Sequence, residues 1–161
     1  MQRQLRRILV PLVAAALAVV LAALPAAAEK PVRCTGQTVY APAYSHIYHG
    51  VKTRHFPLTV TLSIRNVDPA NTITITAVEY RNEKGELLRT FSGIQRGLQP
   101  FETAEAVIEQ QDASGGSGAS FVVRWESSAS AIPPMIQTVM IGSAAGQGIS
   151  FLSGSRVIEQ H

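Results

Sequence analysis

The sequence predicts an all-β protein: a single antiparallel β-sandwich, immunoglobulin-like or related, of about seven or eight strands. Three observations carry this expectation. Apolar residues recur at every second position in several short runs, turn-forming residues separate those runs, and no stretch beyond the first 28 residues has the apolar spacing of a convincing amphipathic helix.

Residues 1–28 read as a signal peptide. Arg3, Arg6 and Arg7 precede an apolar run from Ile8 to Leu24, and after Pro25 the stretch Ala26-Ala27-Ala28 has the small-x-small form that signal peptidase reads. The run is 17 residues long and contains Pro11, whereas a membrane-spanning helix needs about 20 apolar residues. The mature chain is therefore expected to start at Glu29, to be periplasmic or secreted, and not to insert in a membrane after leader cleavage. Residues 29–36 are expected to form an N-terminal linker and residues 37–161 the sandwich domain.

Cleavage changes the charge balance. The chain has 14 Lys and Arg against 11 Asp and Glu, and the leader arginines are the whole excess, leaving 11 against 11 in residues 29–161. A neutral chain without a block of like charge lacks the electrostatic footprint of a nucleic-acid or anionic-lipid binder, so nucleic acid is not an expected partner. The 133 residues that remain suit one domain with its own core. Cys34 is the single cysteine, which excludes an internal disulfide and leaves stability to packing. Arg33 stands where a lipoprotein signal needs a small residue, so an exposed thiol or an intermolecular disulfide is the expectation for Cys34.

The clearest strand has Val60, Leu62 and Ile64 alternating with Thr59, Thr61, Ser63 and Arg65. Residues 66–71 supply turn formers, and Thr72 to Arg81 alternates again. Its phase slips: Ile73, Ile75 and Ala77 share one parity and Val78 and Tyr80 the other, which a β-bulge near Ala77 reconciles. Residues 82–86 form a hairpin turn with Gly85 free to take a positive φ, leading to a strand around Leu87 to Phe91. Ala104, Ala106 and Ile108 alternate in a strand from Thr103 to Glu109, although good helix formers in 101–110 keep a helix open. Phe121, Val123 and Trp125 mark a further strand, with Trp125 in the core. Pro133-Pro134 breaks the chain before a strand over Met135 to Ile141, and Ile149 to Leu152 and Ser155 to Ile158 complete the set.

The segments VYAPAYSHIYHG, LTVTLSIRN, TITITAVEYRNEKGELL, DASGGSGASFVVRW and IGSAAGQGISFLSGSRVI, in this order, resemble an uncharacterised family of exported bacterial proteins, a domain of unknown function. The resemblance spans about residues 37–158 and implies export and one domain. It brings no activity and no catalytic residues.

Candidate site residues concentrate in YSHIYHG, residues 44–50, which holds two of the four histidines and two of the four tyrosines. If Thr38 to Tyr48 is extended, Tyr40, Tyr44, His46 and Tyr48 point to one face and His49 to the other, giving an aromatic row suited to stacking on a sugar or an extended peptide. A helical turn would instead bring His46 and His49 together, and His55 would complete the three protein ligands of a zinc site. A divalent transition metal on His46, His49 and His55 is thus the alternative to an aromatic binding face.

Other motifs carry less. Residues 112–118 form a glycine-serine loop without a P-loop lysine, and Ser117 in Gly115-Gly-Ser-Gly-Ala119 precedes a strand, where a nucleophile elbow needs a helix. Residues 142–148 read as another glycine-rich loop. Glu105 and Glu109 share the solvent face of their strand and Glu102 does not join them, so no acid–base pair emerges. The sequence thus points to an exported, non-catalytic binding or interaction module for a protein, peptide or glycan.

Overall fold

Alternating side chains and the turns between them give twelve strand segments in a computed structural model that describes residues 32–50, 53–144 and 146–161. The expected signal peptide and its cleavage site lie outside the described residues. The strands are β1 (Cys34–Pro42), β2 (His46–His49), β3 (Arg54–Pro57), β4 (Thr59–Arg65), β5 (Ile73–Arg81), β6 (Leu87–Thr90), β7 (Gly97–Leu98), β8 (Thr103–Ile108), β9 (Ser120–Ala131), β10 (Met135–Ala144), β11 (Gln147–Gly154) and β12 (Arg156–Gln160). One 3-10 turn, Ser92–Ile94, interrupts them, and no α-helix occurs among the described residues. Three of the twelve, β2, β3 and β7, are short pieces of two to four residues, and the other nine stand against the expected seven or eight.

Every pairing is antiparallel. One sheet has the order β12-β1-β9-β5-β6, with β7 also on β5; the second has the order β11-β10-β4-β8; β2 and β3 form a separate hairpin. The protein is an antiparallel β-sandwich, as the alternation predicts. Val39 and Ala41, Ile73, Ile75, Val78 and Tyr80, and Phe121, Val123 and Trp125 supply the core from the first sheet; Val60, Leu62, Ile64, Ala104, Ala106, Ile108 and Met140 supply it from the second. Trp125 is fully buried between Gln37 of β1 and Ile75 of β5 in register.

The phase slip in β5 is a real bulge. Ile75 pairs with Trp125 and Ala77 with Arg124, which leaves Thr76 as the extra residue and returns Val78 and Tyr80 to the core. Gly85 has φ +81°, as its turn requires. The segment from Thr103 is a strand with Ala104, Ala106 and Ile108 inward, because pairing with β4 outweighs its helix propensity.

Three expectations are corrected. Cys34 is not an exposed thiol: it is only 7% exposed and opens β1 opposite Ala131, inside the stretch read as a linker. Residues 142–144 and 147–148 are strand and not loop, since β10 continues to Ala144 and pairs Gly142 with Ile149 and Ala144 with Gln147. Gly142 is needed there because a Cβ would lie 2.6 Å from both the Phe56 ring and the Pro57 carbonyl. Finally, Thr38 to Tyr48 is not one strand: β1 ends at Pro42, and β2 starts at His46.

Polar networks fasten the two ends of the sandwich. At one end the Asp68 carboxylate is fully buried and accepts hydrogen bonds from the N–H groups of Ile132 (2.7 Å), Ala70 (2.8 Å) and Asn71 (2.9 Å) and from the Arg33 guanidinium (2.9 Å). The Ile132 N–H foremost, then the Ala70 and Asn71 N–H groups and the Asn71 side-chain amide, hold its pKa far below the ordinary carboxylate range against the opposing effect of burial.

At the other end the Ser45 and Tyr80 hydroxyls bond at 2.8 Å. Ala43 N–H donates to the Ala119 carbonyl, Ser45 N–H to Gly116, Leu58 N–H to Ser45 and Glu83 N–H to Gly115. Gly115 packs so closely on Tyr80 that a Cβ would overlap the phenol oxygen. These contacts turn the chain out of β1 and draw together the β2–β3 hairpin, the β5–β6 turn and the loop between β8 and β9.

Three measurements check this account. Trp125→Ala should cost about 3–5 kcal/mol in denaturant titration, from lost transfer energy plus a cavity, and a cost under about 1 kcal/mol would contradict its core position. Tyr80→Phe should cost about 1–3 kcal/mol by leaving the Ser45 hydroxyl buried without a partner. A depressed carboxylate pKa contributes stability above the unfolded value of about 3.9, and that contribution is lost as pH falls through the folded value. The stability gap between wild type and Asp68→Asn should therefore be widest near neutral pH and narrow in acid; a gap that stays constant would mean that Asp68 ionisation does not matter.

Candidate functional site

The β2–β3 hairpin sorts the expected site residues by strand alternation. Ile47 pairs with Phe56, Tyr48 with His55 and His49 with Arg54, so His46, Tyr48 and His55 share one face and Ile47, His49 and Phe56 use the other. On the first face the His46 and His55 rings stack with centroids 4.0 Å apart and planes 13° from parallel. Tyr48 meets both rings edge-on, at 5.3 Å from His46 and 5.2 Å from His55. On the second face His49 lies edge-on to Phe56 at 5.4 Å.

The aromatic row is not formed. Tyr40 lies on β1 between Arg156 and Val122 in register, and Tyr44, in the bend after β1, packs edge-on against Phe151 of β11 at 5.8 Å. Of the three tyrosines only Tyr48 joins His46. His49 is likewise turned away from His46 and His55. Among the described residues no group of three His, Cys, Asp or Glu side chains is placed to hold a metal ion. The stacked pair does not converge on one point either, because a metal lies in the plane of each imidazole that binds it and these two planes are nearly parallel.

The hairpin's first face forms one wall of a cleft of about 380 Å³. The other walls are the β5–β6 turn, with Asn82, Glu83 and Lys84, and residues 113–116 of the loop before β9. At its base His46 is 8% exposed, and neither ring nitrogen has a hydrogen-bond partner among the described residues. Burial, helped by the neighbouring His55, lowers the His46 pKa, while the Glu83 carboxylate opposes the shift. A neutral imidazole there offers one N–H donor and one nitrogen acceptor, both unused. Above it Tyr48, 54% exposed, supplies an aromatic surface at the rim.

On the far side of the hairpin lies an apolar groove of about 430 Å³ lined by Ile47, His49, Phe56, Gln147, Gly148 and Ile149. Ser117 sits in the loop that feeds strand β9, without the strand-to-helix turn of a nucleophile elbow. Glu102 accepts hydrogen bonds from the Gln99 N–H and the Arg96 guanidinium and closes its own turn, while Glu105 and Glu109 face solvent.

Sequence reading alone does not join residues 82–84 and 113–116 to the histidines. Each segment reads as an ordinary turn. The available signal is topological: in an antiparallel sandwich, the exit of β1, the turn after β5 and the loop into β9 fall at the same end.

No curated protein matches the chain. The crystal structure of Thermotoga maritima 1070 is similar to it at 10% sequence identity with a TM-score of 0.46, over 80% of this chain and 97% of that one. A family of proteins of unknown function, DUF3124, matches residues 36–158, from the start of β1 into β12. With that span covering nearly the whole sandwich, the chain belongs to the DUF3124 family.

Proposed function

We propose that this protein is an exported, non-catalytic binding module, periplasmic or secreted, whose ligand occupies the cleft between the β2–β3 hairpin, the β5–β6 turn and residues 113–116. The observation that carries the reading is His46, a buried imidazole whose two nitrogens both lack a partner. Leaving a polar group buried and unpaired costs about 1–3 kcal/mol, so an apolar ring would serve packing better. An imidazole retained at the base of an open cleft, with both nitrogens covered, fits a ligand that supplies the missing hydrogen bonds once the ring turns to present them. The arginine-then-apolar leader with its Ala26-Ala27-Ala28 site supports export.

A stability measurement tests this without knowing the ligand. His46→Phe keeps the ring and removes the unpaired nitrogens, so it should leave stability unchanged or raise it by about 1 kcal/mol. At the same time, small polar fragments that shift the amide resonances of residues 46–48, 83 and 114–116 in the wild type should no longer do so. A loss of more than about 1 kcal/mol would make the imidazole structural and defeat the reading. Near-stoichiometric zinc or copper in protein purified without a metal-binding tag, released by His46→Phe, would replace it with a metal-binding function.

A further inference from the structure

We infer that the ligand class for which this cleft is built is a saccharide, recognised through its hydroxyls by His46 and Glu83 and through its C–H face by Tyr48; this deepens the binding reading and rests on it. The argument begins with what the cleft has left to offer. Its walls are turns whose main-chain groups are largely consumed: Glu83 N–H is held by the Gly115 carbonyl, the Gly116 carbonyl by Ser45 N–H, Gly116 N–H by the Ala113 carbonyl, and the Asn82 carbonyl by Gly85 N–H. An extended peptide is recognised by adding to an open strand edge through its main chain, and the hairpin turns a face, through His46, Tyr48 and His55, and not an edge to this cleft. Recognition therefore falls to side chains.

Those side chains select for a group that both donates and accepts. A neutral imidazole offers one of each, and both are free on His46. An ionised carboxylate has only acceptors to give and would face the Glu83 carboxylate; an ammonium group has only donors and would face Lys84. The two opposite charges leave the cleft without a sign that favours either ion. A hydroxyl, by contrast, donates to the imidazole nitrogen or to the carboxylate and accepts from the imidazole N–H. Vicinal hydroxyls on a pyranose present several such groups at fixed spacing.

The rim supplies the second half of the match. Tyr48 is exposed and is held edge-on to both stacked imidazoles, so its orientation is set before a ligand arrives. A rigid aromatic surface beside a few directed polar groups suits a ring with an apolar C–H face and a hydroxylated edge. The cleft volume of about 380 Å³ lies within the range of about 300–1,000 Å³ usual for small-molecule sites.

The test is a ¹⁵N-resolved titration of the purified protein with two sets of probes. One set is neutral oligosaccharides of glucose, galactose, mannose and N-acetylglucosamine; the other is a mixture of short uncharged peptides. The expected result is saturable shifts at residues 46–48, 55, 83 and 114–116 with at least one oligosaccharide. Affinity for that sugar should fall at least tenfold in Tyr48→Ala, whose side chain is exposed and whose fold is not at risk, and in His46→Phe. Shifts at these residues with the peptides and with no sugar would overturn the saccharide assignment while leaving a binding cleft. Shifts at these residues with neither set would overturn both. Sugar binding unaltered by Tyr48→Ala would place the sugar elsewhere and also defeat the proposal.

Discussion

The Tyr80 hydroxyl is the constraint on which the functional end of this molecule depends. Tyr80 is fully buried in β5, so its phenol oxygen must find a partner, and the partner is Ser45 Oγ at 2.8 Å. That bond fixes Ser45 at the point where the chain leaves the first sheet. Ser45 in turn holds the glycine loop through its N–H to Gly116 and holds the start of β4 through its carbonyl from Leu58 N–H. Gly115 fits beside the phenol only because it has no Cβ. One buried polar atom thus positions the hairpin, the glycine loop and, through Gly115 and Glu83, the turn after β5. The cleft is the space these three segments enclose.

The same physics separates the two ends of the sandwich. At the Asp68 end, three N–H groups and the Arg33 guanidinium donate to a buried carboxylate, and Asn66, also buried, donates from its side chain to the Asn71 and Leu98 carbonyls. That network is closed, and it ties the segment before β1 to the β4–β5 and β9–β10 connections. At the cleft end the network stops one residue short. Ser45 is satisfied, but His46, the next residue, is buried with neither nitrogen paired. Among the described residues the Trp125 indole N–H is also buried without a partner, but Trp125 belongs to the core, whereas His46 lines the cleft. It is this position at the cleft that supports the proposed role of His46.

Much of the frame was legible from alternation. β4, β9 and the bulge in β5 follow from residue parity alone, because one side of each strand must be apolar and one residue of slip exchanges the two sides. The hairpin was not legible, for a physical reason. Ala43 and Ser45 read as a continuation of β1, and what bends the chain there is pairing with Ala119 and Gly116, more than 70 residues away in sequence. Local pattern carries no trace of such partners, so the tyrosine row was drawn through a bend. The histidine trio failed on the same point: once His46 and His49 are placed on a short strand, alternation separates them, and it is His55, across the hairpin, that meets His46. Cys34 was misjudged because nothing in its neighbours reveals that β1 already begins there, opposite Ala131.

The division of labour inside the cleft follows from where its hydrogen bonds go. The residues that shape it, Ser45, Tyr80 and Gly115, spend their polar atoms or their lack of a side chain on one another. The residues that line it, Tyr48, His55, Glu83 and Lys84, are absent from that network through their side chains and rest on backbone that the network holds. Changing a lining side chain therefore alters what the cleft accepts without moving its walls, whereas a single Cβ at Gly115 moves the walls whatever lines them. His46 belongs to both groups, buried like the first and unpaired like the second. Under the proposed binding role, that double position would couple binding to stability, because a ligand bonded to His46 would remove the desolvation penalty of a buried, unpaired imidazole.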